Sequence, residues 1–183
     1  MDKIIRFLKN LLLGGFVVIL GLAYYELVDK STPVALYVDG NKKPLVQVSL
    51  DVFFYVPMFF MVLLNVFIAL IVRVFKQIPI KNINITNKDF WHADEDRQEL
   101  LQKMFVAWIY GFALITNFFV TMIVAKTWFV NRGIGGQLWE YGVISICFLS
   151  LILIWLFGMF YRLKLRREEF FVAKDARFED DED

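Results

Sequence analysis

The chain has 183 residues, of which 58% are hydrophobic and 17% aromatic, with a formal net charge of +1 and a mean hydropathy of +0.55. These values exclude an ordinary water-soluble domain of this length. Four long apolar runs account for them, near residues 10–28, 52–75, 104–126 and 138–161. Because a helix needs about 20 mostly apolar residues to cross a bilayer, each run predicts a transmembrane helix.

We therefore predict an all-α integral membrane protein, in which residues 1–167 form a single domain that is a four-helix transmembrane bundle. Residues 168–183 are rich in charge and predict a flexible cytoplasmic tail. The first run follows a basic segment, is longer than a typical signal sequence and lacks a small-residue cleavage site. It therefore indicates an uncleaved signal anchor.

The basic residues predict the orientation, because Lys and Arg collect on the cytoplasmic side of a membrane. If both termini are cytoplasmic, most of the 20 Lys and Arg residues lie inside. The few that then lie outside are Lys30, Lys42, Lys43, Lys126 and Arg132. We expect the membrane to be the bacterial cytoplasmic (inner) membrane, crossed with both termini inside.

The connection between the first two runs predicts a short extracytoplasmic β-hairpin. Asp39 and Gly40 stand between two β-prone pieces, residues 33–38 and 45–50, and an Asp-Gly pair in that position is a hairpin signal. Because an isolated hairpin is marginally stable in water, we expect it to lie on the outer mouth of the bundle or against the lipid headgroups.

The remaining connections differ in length. Residues 127–137 are rich in glycine and predict a simple turn on the outer side. On the cytoplasmic side, residues 78–85 alternate in polarity and predict a short extended segment. A helix is expected to begin near Asp89 and to continue into the third run, with Phe90 and Trp91 as anchors at the level of the headgroups.

Polar residues within the apolar runs are the next candidates for a functional site. No charge is expected deep in the membrane, where burial is costly. Asn65 and Asn117 either join helices by hydrogen bonds worth about 1 kcal/mol, which we favour, or line a small polar path. Glu26, Lys126 and Glu140 lie near the outer ends of their runs and are expected either to cluster below the outer surface or to be solvated there.

We expect no catalytic site, metal or cofactor. His92 is the only histidine in the sequence, and the acidic residues that follow it are explained by the start of a helix. The sequence also lacks a P-loop, a nucleophile elbow and a dinucleotide fingerprint.

Two short motifs carry a resemblance to a known family. Residues 84–91, which read Asn-Ile-Thr-Asn-Lys-Asp-Phe-Trp and are followed by Glu95 and Arg97, resemble a cytoplasmic Asn-x-Pro-Asn-Lys-Asp-Tyr-Trp motif with an acidic and Arg stretch after it. Pro33, Tyr37 and Gly40 resemble a Pro-x-His-Phe-type strand and its following glycine, without the histidine. Both motifs are typical of a bacterial membrane domain of unknown function, best known from the N-terminal part of SdpI-type toxin-immunity proteins. The resemblance covers about residues 10–126 and implies the same order of spans.

Three functions remain open. The first is a non-catalytic interaction protein of the envelope, with an immunity-like or sensor-like role. The second is an accessory subunit of a larger membrane complex, and the third, disfavoured by the expected lack of deep charge, is a small transporter or channel. We expect the lipid bilayer and other membrane or envelope proteins as partners, and no nucleic acid. The candidate interaction residues are Pro33, Tyr37, Asp39, Gly40, Asn87, Lys88, Asp89, Phe90, Trp91 and Arg97.

Overall fold

The computed structural model describes residues 2–30, 32–85 and 87–180, which are mostly helical. Within them the chain forms five α-helices, one 3-10 helix and one two-stranded antiparallel sheet. In chain order the elements are α1 (Asp2–Val28), β1 (Val34–Val38), β2 (Pro44–Val48), α2 (Leu50–Gln77), the 3-10 helix (Ile80–Asn82), α3 (Lys88–Trp91), α4 (Glu95–Asn131) and α5 (Leu138–Asp180).

Four of these helices are long and apolar enough to cross a membrane, which confirms the prediction of four such segments and indicates a membrane protein. The described helical segments that contain such an apolar stretch are Lys3–Val28, Leu50–Gln77, Glu95–Asn131 and Leu138–Leu165. Each extends beyond the run read from the sequence, because the helices continue through polar residues at their ends. The helix α5 also continues to Asp180, across most of the segment predicted to be a flexible tail, and residues 181–183 lie outside the described residues.

The helix α4 is the centre of the bundle, since it contacts α1, α2 and α5. Its neighbours pack a continuous apolar core against it. The core joins one face of α1 to residues of β1, α2 and α4, namely Phe16, Leu20, Ala23, Leu27, Val34, Phe53, Met61 and Val124. By contrast, the outward faces of α2 and α5 carry large exposed apolar side chains, as expected for surfaces that lipid covers.

The hairpin is confirmed, but its turn differs from a tight Asp-Gly turn. The connection between β1 and β2 spans residues 39–43, and Asp39 Oδ1 accepts the N–H groups of Asn41 and Lys43, both over 2.8 Å. The residue with a left-handed backbone is Lys42, at φ 61°, and not Gly40. The carboxylate of Asp39 therefore organises a longer turn.

In residues 78–94, which we call the connector, the structure differs from two predictions. The predicted extended segment contains a 3-10 helix, whose start follows Pro79 at φ −59°. A continuous helix from Asp89 was also wrong, because α3 ends at Trp91 and α4 begins only at Glu95. Asp94 is extended, at φ −145° and ψ 168°, and its side chain caps α4 by accepting the Arg97 N–H.

The hairpin and the connector lie at opposite ends of α2, which starts directly after β2 and ends at the connector. At a rise of about 1.5 Å per residue, these ends are about 40 Å apart. We refer to them below as the hairpin end and the connector end of the bundle.

Candidate functional site

A chain of three polar side chains crosses the interior of the bundle and joins α1, α2 and α4. Lys9 Nζ donates to Asn65 Oδ1 over 3.1 Å. Asn65 Nδ2 donates to Asn117 Oδ1 over 3.0 Å, and Asn117 Nδ2 returns a bond to Asn65 Oδ1 over 3.2 Å. We call these residues the polar chain. Asn65 lies about 18 Å from the end of α2 at Gln77 and about 22 Å from its start, so the chain crosses near mid-span.

Lys9 was not among the residues expected to be buried, and the prediction that the bundle holds no deep charge is wrong here. The residue is only 9% exposed, although it belongs to the basic segment that precedes the first apolar run. The helix α1 already begins at Asp2, so Lys9 is inside it. The ring of Tyr110 lies 5.9 Å from Nζ, and among the described residues no carboxylate pairs with Lys9.

A regular spacing along α1 could have revealed this burial. Lys9 precedes the buried Phe16 by two turns, and Leu20 and Ala23 continue the same face. The charge of Lys9 predicts a water-facing position. Its helical spacing from Phe16 instead indicates the face of α1 that packs in the bundle.

Threonines extend the polar interior of α4. Asn117 is completely buried, and its carbonyl accepts a hydrogen bond from Thr121 Oγ1 over 2.7 Å. Thr116 is 7% exposed, and its hydroxyl has no partner within the described residues. The prediction that Asn65 and Asn117 join helices by hydrogen bonding agrees with this geometry, since each amide donates to the other.

At the hairpin end, side chains of α4 and α5 hold β1 in place. The amide of Asn131 accepts the Ala35 N–H over 2.9 Å and donates to the Ala35 carbonyl over 2.8 Å, as a neighbouring strand would. Tyr141 donates its hydroxyl to the Leu36 carbonyl, and the Val38 N–H donates to the Gly136 carbonyl over 2.9 Å. The apolar contact beneath is formed by Ala35, Val38 and Val130. The hairpin is thus docked on the bundle.

Glu26, Lys126 and Glu140 form two separate arrangements, not one mutual cluster. Glu26 accepts from Trp128 Nε1 over 2.9 Å and pairs with Arg132 Nε over 3.2 Å. Lys126 pairs with Glu140, which also accepts the Gly136 N–H over 2.9 Å. The first arrangement joins α1 to α4, and the second joins α4 to α5.

The four candidate interaction residues of the hairpin differ in their accessibility. Pro33 and Gly40 are exposed, whereas Asp39 is partly buried by the turn that it organises. Tyr37 is partly buried too, with its ring 6.5 Å from that of Tyr141. The hairpin therefore presents its turn and its β2 side, while β1 faces the bundle.

The six candidate interaction residues of the connector segment also separate into two groups. Asn87, Lys88 and Asp89 are exposed. Trp91 is 1% exposed and packs on Leu101, so it is not available as an anchor at the surface.

Phe90 is partly buried and is held by Arg97 in two ways. The Arg97 guanidinium donates to the Phe90 carbonyl over 3.2 Å and lies 4.6 Å from the centre of its ring. Arg97 Nε also lies 2.8 Å from Asp94 Oδ2. Phe90, Trp91 and Arg97 therefore shape the connector around the start of α4.

No protein-family model, curated protein or solved structure matches this chain. Across the described residues, no group of three or more His, Cys, Asp or Glu side chains is placed to hold a metal ion.

Proposed function

We propose that this chain is a non-catalytic protein of the bacterial cytoplasmic membrane that binds a partner protein of the envelope through its hairpin, in an immunity-like or sensor-like role. One observation carries the proposal: β1 is fixed to the bundle, and the far edge of β2 is left without a neighbouring strand in the described structure. A fixed strand with an open edge can accept an extended segment of another protein as an additional strand.

The hydrogen bonds of Ala35 identify which backbone groups face that edge. Ala35 lies opposite Gln47, and both backbone polar groups of Ala35 bind Asn131 instead of β2. For two residues opposite each other in an antiparallel pair, the backbone N–H and carbonyl groups either bond to each other or point away from the partner strand in both residues. The N–H and carbonyl of Gln47 therefore point to the open edge of β2.

The side chains and charges of the hairpin end favour a protein partner on the outer side of the membrane. Leu45 and Val46 on β2 are 57% and 37% exposed, and they can supply apolar contacts to an added strand. The small number of Lys and Arg residues at this end, compared with the connector end, favours an orientation with the hairpin outside.

Site-specific photo-crosslinking in native membranes tests the proposal. A crosslinker at Leu45 is expected to give one discrete protein adduct, and a crosslinker at Leu153, which is exposed on α5, is expected not to give it. Gln47→Pro removes the N–H at the open edge and should abolish the adduct, whereas Gln47→Ala keeps the N–H and should retain it. The same adduct from Leu153, or an adduct that survives Gln47→Pro, would contradict the proposal. A stoichiometric set of copurifying membrane proteins would favour an accessory subunit instead.

Transport is the second candidate, because the polar chain places a cationic side chain among three helices near mid-span. If the chain moves an ion, Lys9→Met should change the flux across liposomes that contain the purified protein. Equal flux in liposomes with the original chain, with Lys9→Met and without protein would remove this candidate.

A further inference from the structure

A crevice at the connector end lies between the connector, α4 and α5, away from both the hairpin and the polar chain. Its volume is about 620 Å³, within the usual range for sites that hold a small molecule. Its floor consists of Trp91, Phe105 and Trp108. Its rim carries Asn84, Asn87 and Lys164.

The floor is apolar, and Trp108 is held there by a second tryptophan. Trp108 stacks on Trp155 with ring centres 4.1 Å apart and planes 6° from parallel. Each indole N–H donates to the carbonyl of the other tryptophan, over 3.3 and 3.0 Å, so neither N–H needs a ligand. Phe105 contacts the ring of Phe75 at 5.3 Å. A hydrocarbon chain matches this surface better than a polar molecule would.

The rim, in contrast, offers hydrogen-bond donors. Asn84 and Asn87 are exposed, and their side-chain amides make no hydrogen bond to the rest of the described chain. The Lys164 side chain is 74% exposed, and its ion pair with Glu168 is long, at 3.9 Å. Two exposed amides without a partner among the described residues, and a loosely paired ammonium, suit the oxygens of a phosphate group.

We propose that this crevice binds one anionic phospholipid, with an acyl chain on the tryptophan floor and the headgroup at the rim. The outer wall belongs to α5, where Leu156 and Phe160 are 37% and 67% exposed, so the crevice is open to the surrounding bilayer. The rim lies where the apolar run of α5 gives way to Arg162 and Lys164, a change in polarity that is typical of the headgroup level. An ammonium at that level favours a lipid with net negative charge.

Native mass spectrometry of the full chain in a non-ionic detergent tests the assignment. The probes are phosphatidylglycerol and phosphatidylcholine with identical acyl chains. We expect one retained phosphatidylglycerol per chain and weaker retention of phosphatidylcholine. Lys164→Gln should weaken phosphatidylglycerol binding about fivefold, the effect of about 1 kcal/mol for one basic residue near the headgroup.

Three further variants test separately the rim, the space for the acyl chain and the general effect of charge. Asn87→Gly keeps the left-handed backbone at φ 59° and removes only the amide, so binding should fall. Leu156→Trp should fill the crevice and abolish retention of both lipids. Lys103→Gln, at an exposed site outside the crevice, should change nothing.

Equal affinity for the two lipids would overturn the proposal, as would a loss in Lys103→Gln equal to that in Lys164→Gln. Phosphatidylglycerol retained by folded Leu156→Trp would show that the crevice holds no acyl chain and would also overturn it. If Leu156→Trp does not fold, Lys164→Gln decides alone, because Lys164 is too exposed to be needed for folding.

Discussion

Lys9 Nζ donates to Asn65 Oδ1 over 3.1 Å, which fixes the first turns of α1 to the middle of α2. The Asn65 and Asn117 side chains also donate hydrogen bonds to each other. The amide of Asn65 therefore links α1, α2 and α4. In hydrocarbon, an unpaired polar group has no water to replace its partner. The free energy of unfolding should therefore depend more on Asn65 than on Lys9 or Asn117.

Replacement of the central amide is the first prediction. Asn65→Leu leaves the Lys9 ammonium and the Asn117 amide buried without their partner, and it should lower the free energy of unfolding by roughly 2–3 kcal/mol. Lys9→Met removes the donor together with its burial cost and leaves the Asn65–Asn117 bonds intact, so it should change the free energy by less than about 1 kcal/mol.

Unfolding in mixed micelles of a mild detergent and sodium dodecyl sulfate measures both variants. The double variant Lys9→Met/Asn65→Leu should be more stable than Asn65→Leu alone, because no unpaired ammonium remains. Additive losses would show that Lys9 and Asn65 contribute independently and would contradict the interpretation.

The four apolar helices and the hairpin could be predicted from the sequence, because length, apolarity and β-propensity are local properties. The anchoring of the hairpin could not, since Asn131 is 96 positions from Ala35 along the chain. Lys9 was misassigned because its charge was weighed above its helical spacing from Phe16, which indicates the packed face of α1. Its hydrogen bond to Asn65 could not be predicted, since the two residues are 56 positions apart along the chain.

Loss of the Asn131 amide should release the hairpin from the bundle. Asn131→Ala removes two hydrogen bonds to Ala35, worth about 2 kcal/mol together, and should raise the hydrogen-exchange rate of the Val38 amide about 30-fold. Asn41→Ala is the matched control, because Asn41 lies in the exposed turn of the same hairpin. Slow exchange at Val38 in the Asn131→Ala protein would mean that other contacts dock the hairpin.

The turn between α4 and α5 should tolerate a side chain at one glycine better than at another. Gly133 and Gly136 both have a left-handed backbone, at φ 79° and 102°, so alanine strains each by about 1–2 kcal/mol. A Cβ at Gly136 would also lie 2.7 Å from Val130 Cγ2, whereas a Cβ at Gly133 meets nothing within 4 Å. Gly136→Ala should therefore destabilise the docked hairpin more than Gly133→Ala, measured by the same Val38 amide exchange. Equal increases in Val38 amide exchange in the two variants would mean that backbone strain alone, and not the contact with Val130, destabilises the docked hairpin.

The connector should depend on the planar guanidinium of Arg97 and not simply on its charge. Arg97 reaches the Phe90 carbonyl, the Phe90 ring and the Asp94 carboxylate at once, which a lysine ammonium cannot do. Arg97→Lys should speed chymotrypsin cleavage after Phe90 and Trp91 about tenfold, for a loss of about 1.4 kcal/mol in the free energy of local opening.

Glu99→Gln provides the control for that measurement, since it breaks only the exposed Lys103–Glu99 pair and should leave the cleavage rate unchanged. Because Trp91 is almost fully buried, cleavage there requires the connector to open, and the rate reports on Arg97 directly. If Arg97→Lys were cleaved as slowly as the original chain, positive charge near Asp94 would be enough to hold the connector. The contact with Phe90 would then be incidental.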